Sequence, residues 1–233
     1  MARKDRVPNP PKRPQAPQRR TTPSAPRDSD RQRRLLYILA ATGLVGIAIV
    51  LGVIFLAGGG GDDDLAATMQ GAGCQLKTMP AAVGDHSVEL DATSNPKWNT
   101  DPPTSGPHNP TPAVYGEYDE PLQIAQVVHN LEHGAVFVLY GPTVPDATVQ
   151  QLRDFYNGDT TGMLVSPYPK LGAKIALGAW TVPDEFEPGG TNGTAYLATC
   201  TAFDEGAFSS FRDELRFRGP ERFPADSLQP GTA

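Results

Sequence analysis

The sequence predicts an α+β domain, a small mainly antiparallel sheet with two helices on one face, behind one N-terminal transmembrane helix. Three observations predict it. An apolar run without a charge occupies residues 35–57. Beyond it, short apolar or aromatic segments of strand length recur at residues 135–140, 163–166, 175–180 and 195–199, separated by stretches rich in Gly, Pro, Asn and Asp. Two other stretches, opening at Pro145 and at Asp204, instead carry apolar residues at helical spacing. Strands mixed with two helices in this order favour helices packed on one face of a sheet.

Residues 1–34 contain no aromatic side chain and hold eleven Lys and Arg against three Asp, interspersed with Pro8, Pro10, Pro11, Pro14, Pro17, Pro23 and Pro26. Such a segment cannot bury a core and is expected to be a disordered basic cytoplasmic tail. It also masks the charge of the remainder. The chain as a whole has a net charge of -6, and with +8 in the tail the rest carries -14. An acidic soluble part argues against nucleic acid as its partner, because that binding rests on basic surface neutralising phosphate.

The run at 35–57, LLYILAATGLVGIAIVLGVIFLA, makes a helix of roughly 34 Å at about 1.5 Å per residue, enough to span a bilayer. It exceeds the apolar region of a cleaved signal peptide, about 7 to 15 residues. Arg31, Arg33 and Arg34 precede it and Asp62, Asp63 and Asp64 follow it. The positive-inside bias therefore puts the N-terminus in the cytoplasm and the C-terminal domain outside the cell membrane. Residues 58–64 read as a Gly/Asp linker, 65–223 as one extracytoplasmic domain large enough for its own core, and 224–233 as a flexible tail.

Within that domain, residues 92–121 are rich in Pro, Asn, Thr and Gly and read as a loop, which Trp98, Tyr115 and Tyr118 would pack down. From Glu120 to His133 two readings stand side by side. Ile124, Val127, Val128 and Leu131 fit a helix that Gly134 would cap, and the same stretch also fits a strand at 126–129 turning at 130–134. Ala135–Tyr140 is an unbroken apolar strand. Pro145 and Asp146 open a helix with Val149, Leu152 and Phe155 on one stripe, closed by Asn157 and Gly158. Residues 163–166 and 175–180 are strands, residues 188–193 a turn, and 195–199 a further strand. Asp204 caps a last helix whose Phe208, Phe211 and Leu215 face the core until Gly219-Pro220 stops it.

The candidate chemistry lies in His129-Asn130-Leu131-Glu132-His133-Gly134. The chain has four histidines, and the others, His86 and His108, lie upstream in the same half of the soluble part. Neutral imidazole with an optional carboxylate suits zinc or copper. On a helix, His129 and His133 stand one turn apart on one face, so His108, His129 and His133 are the first-choice ligands. His86 and Glu132 are supporting members, Glu132 either as a ligand or as an acceptor orienting an imidazole. Histidines in packed loops also serve simply as hydrogen-bonding braces.

His129-x-x-Glu132-His133 fits the short inverted zinc-protease pattern too, which would make Glu132 a base. Cys74 and Cys200 are the two cysteines, and outside the membrane the plain expectation is a disulfide. No Ser stands in a nucleophile-elbow context, and no phosphate-binding Gly loop is present.

The run Pro102-Pro103-Thr104-Ser105-Gly106-Pro107-His108, then Tyr115-Gly116-Glu117-Tyr118, then His129 to Gly134 with its apolar strand, resembles an uncharacterised bacterial family, domain of unknown function 3105. Trp180, Cys200 and Gly219-Pro220-Glu221 extend the resemblance, which runs from about Cys74 to Glu221. It implies a shared extracytoplasmic fold, often behind a single membrane helix, and a shared His-containing site, with no substrate attached. Two classes of function follow from the residues. One is a domain binding zinc or copper through the histidines, with a zinc-dependent hydrolase as its lesser variant. The other is a structural or interaction domain whose Pro-rich loop meets an envelope protein while the histidines brace it.

Overall fold

Val136–Tyr140 has no residue suited to water on either side, and it lies near the middle of the sheet. A computed structural model of the chain describes residues 60–89, 98, 100–184 and 193–233, all within the unit Gly58–Ala233. In chain order the elements are α1 (Gly60–Gly71), β1 (Cys74–Pro80), β2 (Gly116–Glu117), α2 (Ile124–Glu132), β3 (Val136–Tyr140), α3 (Asp146–Gly158), β4 (Met163–Pro167), β5 (Ile175–Thr181), β6 (Thr194–Cys200) and α4 (Glu205–Leu215). The six strands form one sheet in the order β1-β6-β5-β3-β4-β2.

The sheet is mixed, which corrects the expectation of a mainly antiparallel one. β1–β6, β6–β5 and β5–β3 are antiparallel, whereas β3–β4 and β4–β2 are parallel. The cause is α3. A strand that returns beside its predecessor after a helical crossover runs parallel to it, and only a hairpin-length link would reverse it.

Helix placement is corrected as well. Val136, Val138 and Tyr140 join Met163, Val165, Ile175 and Leu177 under α1, α3 and α4, which supply Leu65, Met69, Leu152, Phe155, Phe208 and Phe211. Phe137, Leu139, Leu164, Ala176 and Trp180 face the other way, against Val127, Val128 and Leu131 of α2. Thus three helices cover one face, and α2 with the Pro-rich loop covers the other. A strand buried on both faces cannot show alternation, so an unbroken apolar run is what β3 needs. At the register pair Phe137–Gly178, the aromatic ring occupies the space a Cβ on residue 178 would take.

Local signals account for the helix ends. The Asp204 carboxylate accepts from Ala207 N at 2.9 Å and caps α4. α3 starts after Pro145 with Asp146 in its first turn, as the sequence indicates. The stretch with two readings is helical: after α2, Gly134 adopts φ +95, with Gly134 N donating to Leu131 O and Ala135 N to Asn130 O. Those two bonds form a Schellman closure.

α1 and β1 were not foreseen. Residues 60–64, expected as linker, form the first turns of α1, which Leu65 and Met69 anchor one turn apart on the core. Strand β1 lies at the sheet edge with most side chains facing water, so it lacks a strong apolar signal. It is joined to β6 at the register pair Cys74–Cys200, whose sulfurs are bonded with Cα atoms 4.1 Å apart. The 224–233 segment, expected to be flexible, instead docks: Leu228 is buried, its carbonyl accepts from Gly162 N, and Tyr115 N donates to Thr232 O. The expected cytoplasmic tail, the membrane run at 35–57 and most of the 188–193 turn lie outside the described residues. Among the described residues no helix is long and apolar enough to cross a membrane.

Candidate metal centre

The last turn of α2 builds the centre. Its apolar face fixes the helix on the sheet, which turns His129, Glu132 and His133 toward the loops. Asn130, fully buried between them, acts as a peptide mimic: Oδ1 accepts from Ala113 N at 2.9 Å and Nδ2 donates to Ala113 O at 2.8 Å. Asn109 is a second hub. Its N donates to Ala125 O, its Nδ2 to Val88 O, and its Oδ1 accepts from Thr111 N. Together they clamp the Pro-rich loop onto α2. The segment carrying His86 is clipped in turn to His108, since His108 N donates to Asp85 O and Val88 N to His108 O.

Four donors result from three separate stretches. One ligand atom each of His86, His108, His129 and Glu132 lies within 4.8 Å of all the others. His108 Nε2 is 2.9 Å and His86 Nε2 3.5 Å from Glu132 Oε2. A tetrahedral zinc site with Zn–N of about 2.0–2.1 Å sets its ligand atoms roughly 3.3 Å apart, so a modest contraction would close the group. His108 is fully buried and the Glu132 side chain is 11% exposed, whereas the His86 side chain is 48% exposed and marks the solvent side. Trp180 sets its edge toward His108, ring centroids 6.3 Å apart. Gly84 lets the segment approach closely: a Cβ there would lie 2.5 Å from Glu132 Oε1 and 2.8 Å from the Trp180 ring, and would displace the carboxylate or the ring.

Hydrogen bonds assign the tautomers. His108 Nδ1 faces Gly106 O at 2.8 Å and His129 Nδ1 faces Asn109 O at 2.7 Å. A carbonyl only accepts, so both Nδ1 atoms carry the hydrogen and both Nε2 atoms are left to bind. In neutral His108 the Nε2 lone pair then faces the Glu132 carboxylate, acceptor against acceptor. Both atoms are buried, and neither makes a directed hydrogen bond. A proton or a metal cation between them would relieve this.

The electrostatics agree with a cation-holding group. Burial opposes charge on His108, but the contact with Glu132 and the Gly106 carbonyl outweigh it and raise its pKa. Burial likewise opposes ionisation of Glu132, yet His108 and the neighbouring His129 and His86 hold its carboxyl below the ordinary value. His129 is pushed down by burial, against the Asn109 carbonyl. His133 is pushed down to about 4, first by burial and then by His129. Glu132 is thus held as a carboxylate and His129 as a neutral imidazole, the ligating forms, whereas His108 holds its second proton more tightly and must release it to bind a metal.

His133 is not among the four. Its ring meets His129 at 4.5 Å between centroids, and it belongs to a neighbouring group with His129 and Glu221, Nε2 lying 3.4 Å from Glu221 Oε2. Glu221 was missed as a site residue. It reaches the helix end because Glu221 N donates to Glu132 O and Phe217 N to Gly134 O, with Gly134 and Gly219 in backbone contact. Its place in the Gly219-Pro220-Glu221 run was the one available signal.

The fold and site together define an α+β domain with a mixed sheet, whose covering helix and loops gather three imidazoles and a carboxylate. The chain belongs to the family described as a protein of unknown function, DUF3105, whose model matches residues 90–223. That range holds His108, His129, Glu132, His133, Trp180 and Glu221, while His86 and Cys74 precede it. No curated protein and no solved structure matches the chain.

Proposed function

We propose that this domain binds a transition metal, zinc or copper, through His86, His108, His129 and Glu132, on the outer side of a cell membrane that residues 35–57 anchor. The observation that carries the reading is the pair His108 Nε2 and Glu132 Oε2, buried, 2.9 Å apart and without directed hydrogen bonds, beside a second imidazole, His129, whose Nδ1 bond leaves Nε2 to bind. Nitrogen donors with one carboxylate are the ligand set zinc and copper(II) accept, and carbonyl oxygens on both buried Nδ1 atoms orient the rings as they do around bound metals. Both Cys are held in a disulfide, which leaves no thiolate to compete.

The test is metal content by mass spectrometry on the full chain, extracted in detergent without a His tag, as isolated and after loading and desalting. About one zinc or copper per chain, lost in His129→Ala, is the expected outcome for a single closed site. A second reading draws on the same Nδ1 bonds: the histidines brace the Pro-rich loop for an envelope partner. It predicts no retained metal and a His129→Ala variant destabilised equally with and without metal.

A further inference from the structure

The two donor groups, His86–His108–His129–Glu132 and His129–His133–Glu221, are not independent, because both contain His129. The Asn109 carbonyl holds the hydrogen of His129 Nδ1 at 2.7 Å, so Nε2 is the ring's one donor to a metal. One lone pair holds one cation. The groups therefore cannot both be complete at the same time.

They also differ in access. In the first, His108 is fully buried and Glu132 is 11% exposed. In the second, Glu221 is 46% exposed and His133 8%. The backbone bond from Glu221 N to Glu132 O fixes residue 221 beside the helix end. Phe223, itself 43% exposed, covers the His133 ring at 4.1 Å between centroids. The second group is thus a built position on the surface, one imidazole away from the buried one.

Resting on the metal-binding reading above, we infer that His133 and Glu221 form an outer docking position for an arriving divalent cation, which His129 then hands to the buried group. The hand-over is a ligand exchange without electron transfer. Bonds from the metal to His133 Nε2 and the Glu221 carboxylate break as bonds to His108 Nε2, Glu132 Oε2 and His86 form, His86 replacing a water on the metal. His129 stays bound, a proton between His108 and Glu132 leaves to water, and water refills the vacated outer position.

The experiment is stopped-flow zinc uptake from a chromophoric chelator by the metal-stripped full chain in detergent, with stoichiometry measured at the end. The wild type is expected to take one zinc. His133→Ala is expected to reach the same stoichiometry about tenfold more slowly, on the order of the 10–100-fold by which loss of a group supporting a metal site changes metal binding. Neutral His133 exerts no steering by charge, so its loss isolates the ligand role. Glu221→Gln, exposed and safe for folding, should be slow too, and remain slow in about 0.5 M salt, where steering is screened. Glu205→Gln, an exposed carboxylate on α4, should load as the wild type does.

His133→Ala and Glu221→Gln loading at the wild-type rate, a final stoichiometry reduced in His133→Ala, or two zinc ions held at once would each overturn the hand-over while leaving the metal-binding reading in place. A wild type that takes up no zinc or copper overturns both.

Discussion

Glu132→Gln separates a metal ligand from a brace more cleanly than any histidine change, because the amide keeps the shape and most of the hydrogen bonding of the carboxylate. In the metal-free protein Glu132 Oε2 sits 2.9 Å from His108 Nε2. Gln can donate an N–H to neutral His108 there, or accept from the protonated ring, so one pairing survives in either state. With His108 protonated, the charge-assisted pair is worth about 1.5–3 kcal/mol against about 0.5–1.5 for the neutral one in the variant, so the swap costs at most about 1 kcal/mol. For a domain of this size that lowers Tm by about 2–4 °C.

Metal adds a separate quantity. At a free metal concentration a hundredfold above Kd, linkage stabilises the native state by about 2.7 kcal/mol, a Tm rise of about 5–11 °C. Thermal melts of both proteins, in chelator and in excess zinc, read all four values. The expected pattern is a small loss in chelator and disappearance of most of the zinc-induced rise. A Glu132→Gln protein that falls in chelator by as much as the wild type gains from zinc, or that keeps the full rise, would refute the assignment of Glu132 as a ligand.

Three further outcomes follow from the same structure. Asn130→Ala removes two buried bonds to the Ala113 backbone and leaves that N–H and C=O unsatisfied, so urea denaturation should show a loss of about 2–5 kcal/mol and metal affinity should fall with it. Asp159→Asn tests the ion pair with Arg216, 2.7 Å long. Arg216 holds the Asp159 carboxyl below its ordinary value of 3.8, so the pair stabilises the fold above that pH, and the contribution is lost as pH falls through the lower folded value. Because the carboxylate is partly exposed, the gap between the variants should be at most about 1 kcal/mol at pH 7 and should close in acid, as read by denaturant midpoints. Reducing the Cys74–Cys200 bond, which spans a sequence separation of 126, frees a long loop in the unfolded chain and should lower stability by up to about 4–5 kcal/mol, measurable by denaturation with and without reductant.

By itself the sequence determined whatever rests on near neighbours. The apolar runs at β3, β4, β5 and β6, the Pro145 and Asp204 helix starts, and the concentration of imidazole and carboxylate at 129–133 are all local patterns, because strand character, caps and one-turn spacing are properties of a few consecutive residues. The family resemblance and the candidate donors were legible on the same ground. Only the tertiary structure decided what depends on packing between distant segments.

Residues 124–132 carry a pattern compatible with helix or strand, and packing on Phe137 and Leu139 with the Gly134 closure selects the helix. The crossover through α3 makes the sheet mixed and leaves α2 alone on the second face, an outcome no local period encodes. The ligand grouping was decided in the same way. His133 is one turn from His129 in sequence, yet the clipping of residues 85–88 to His108 brings His86 to Glu132, and the chain crossing at Gly134 and Gly219 brings Glu221 to His133. Which imidazoles share one carboxylate is set by backbone contacts between residues twenty or more apart, and spacing along the chain carries no record of them.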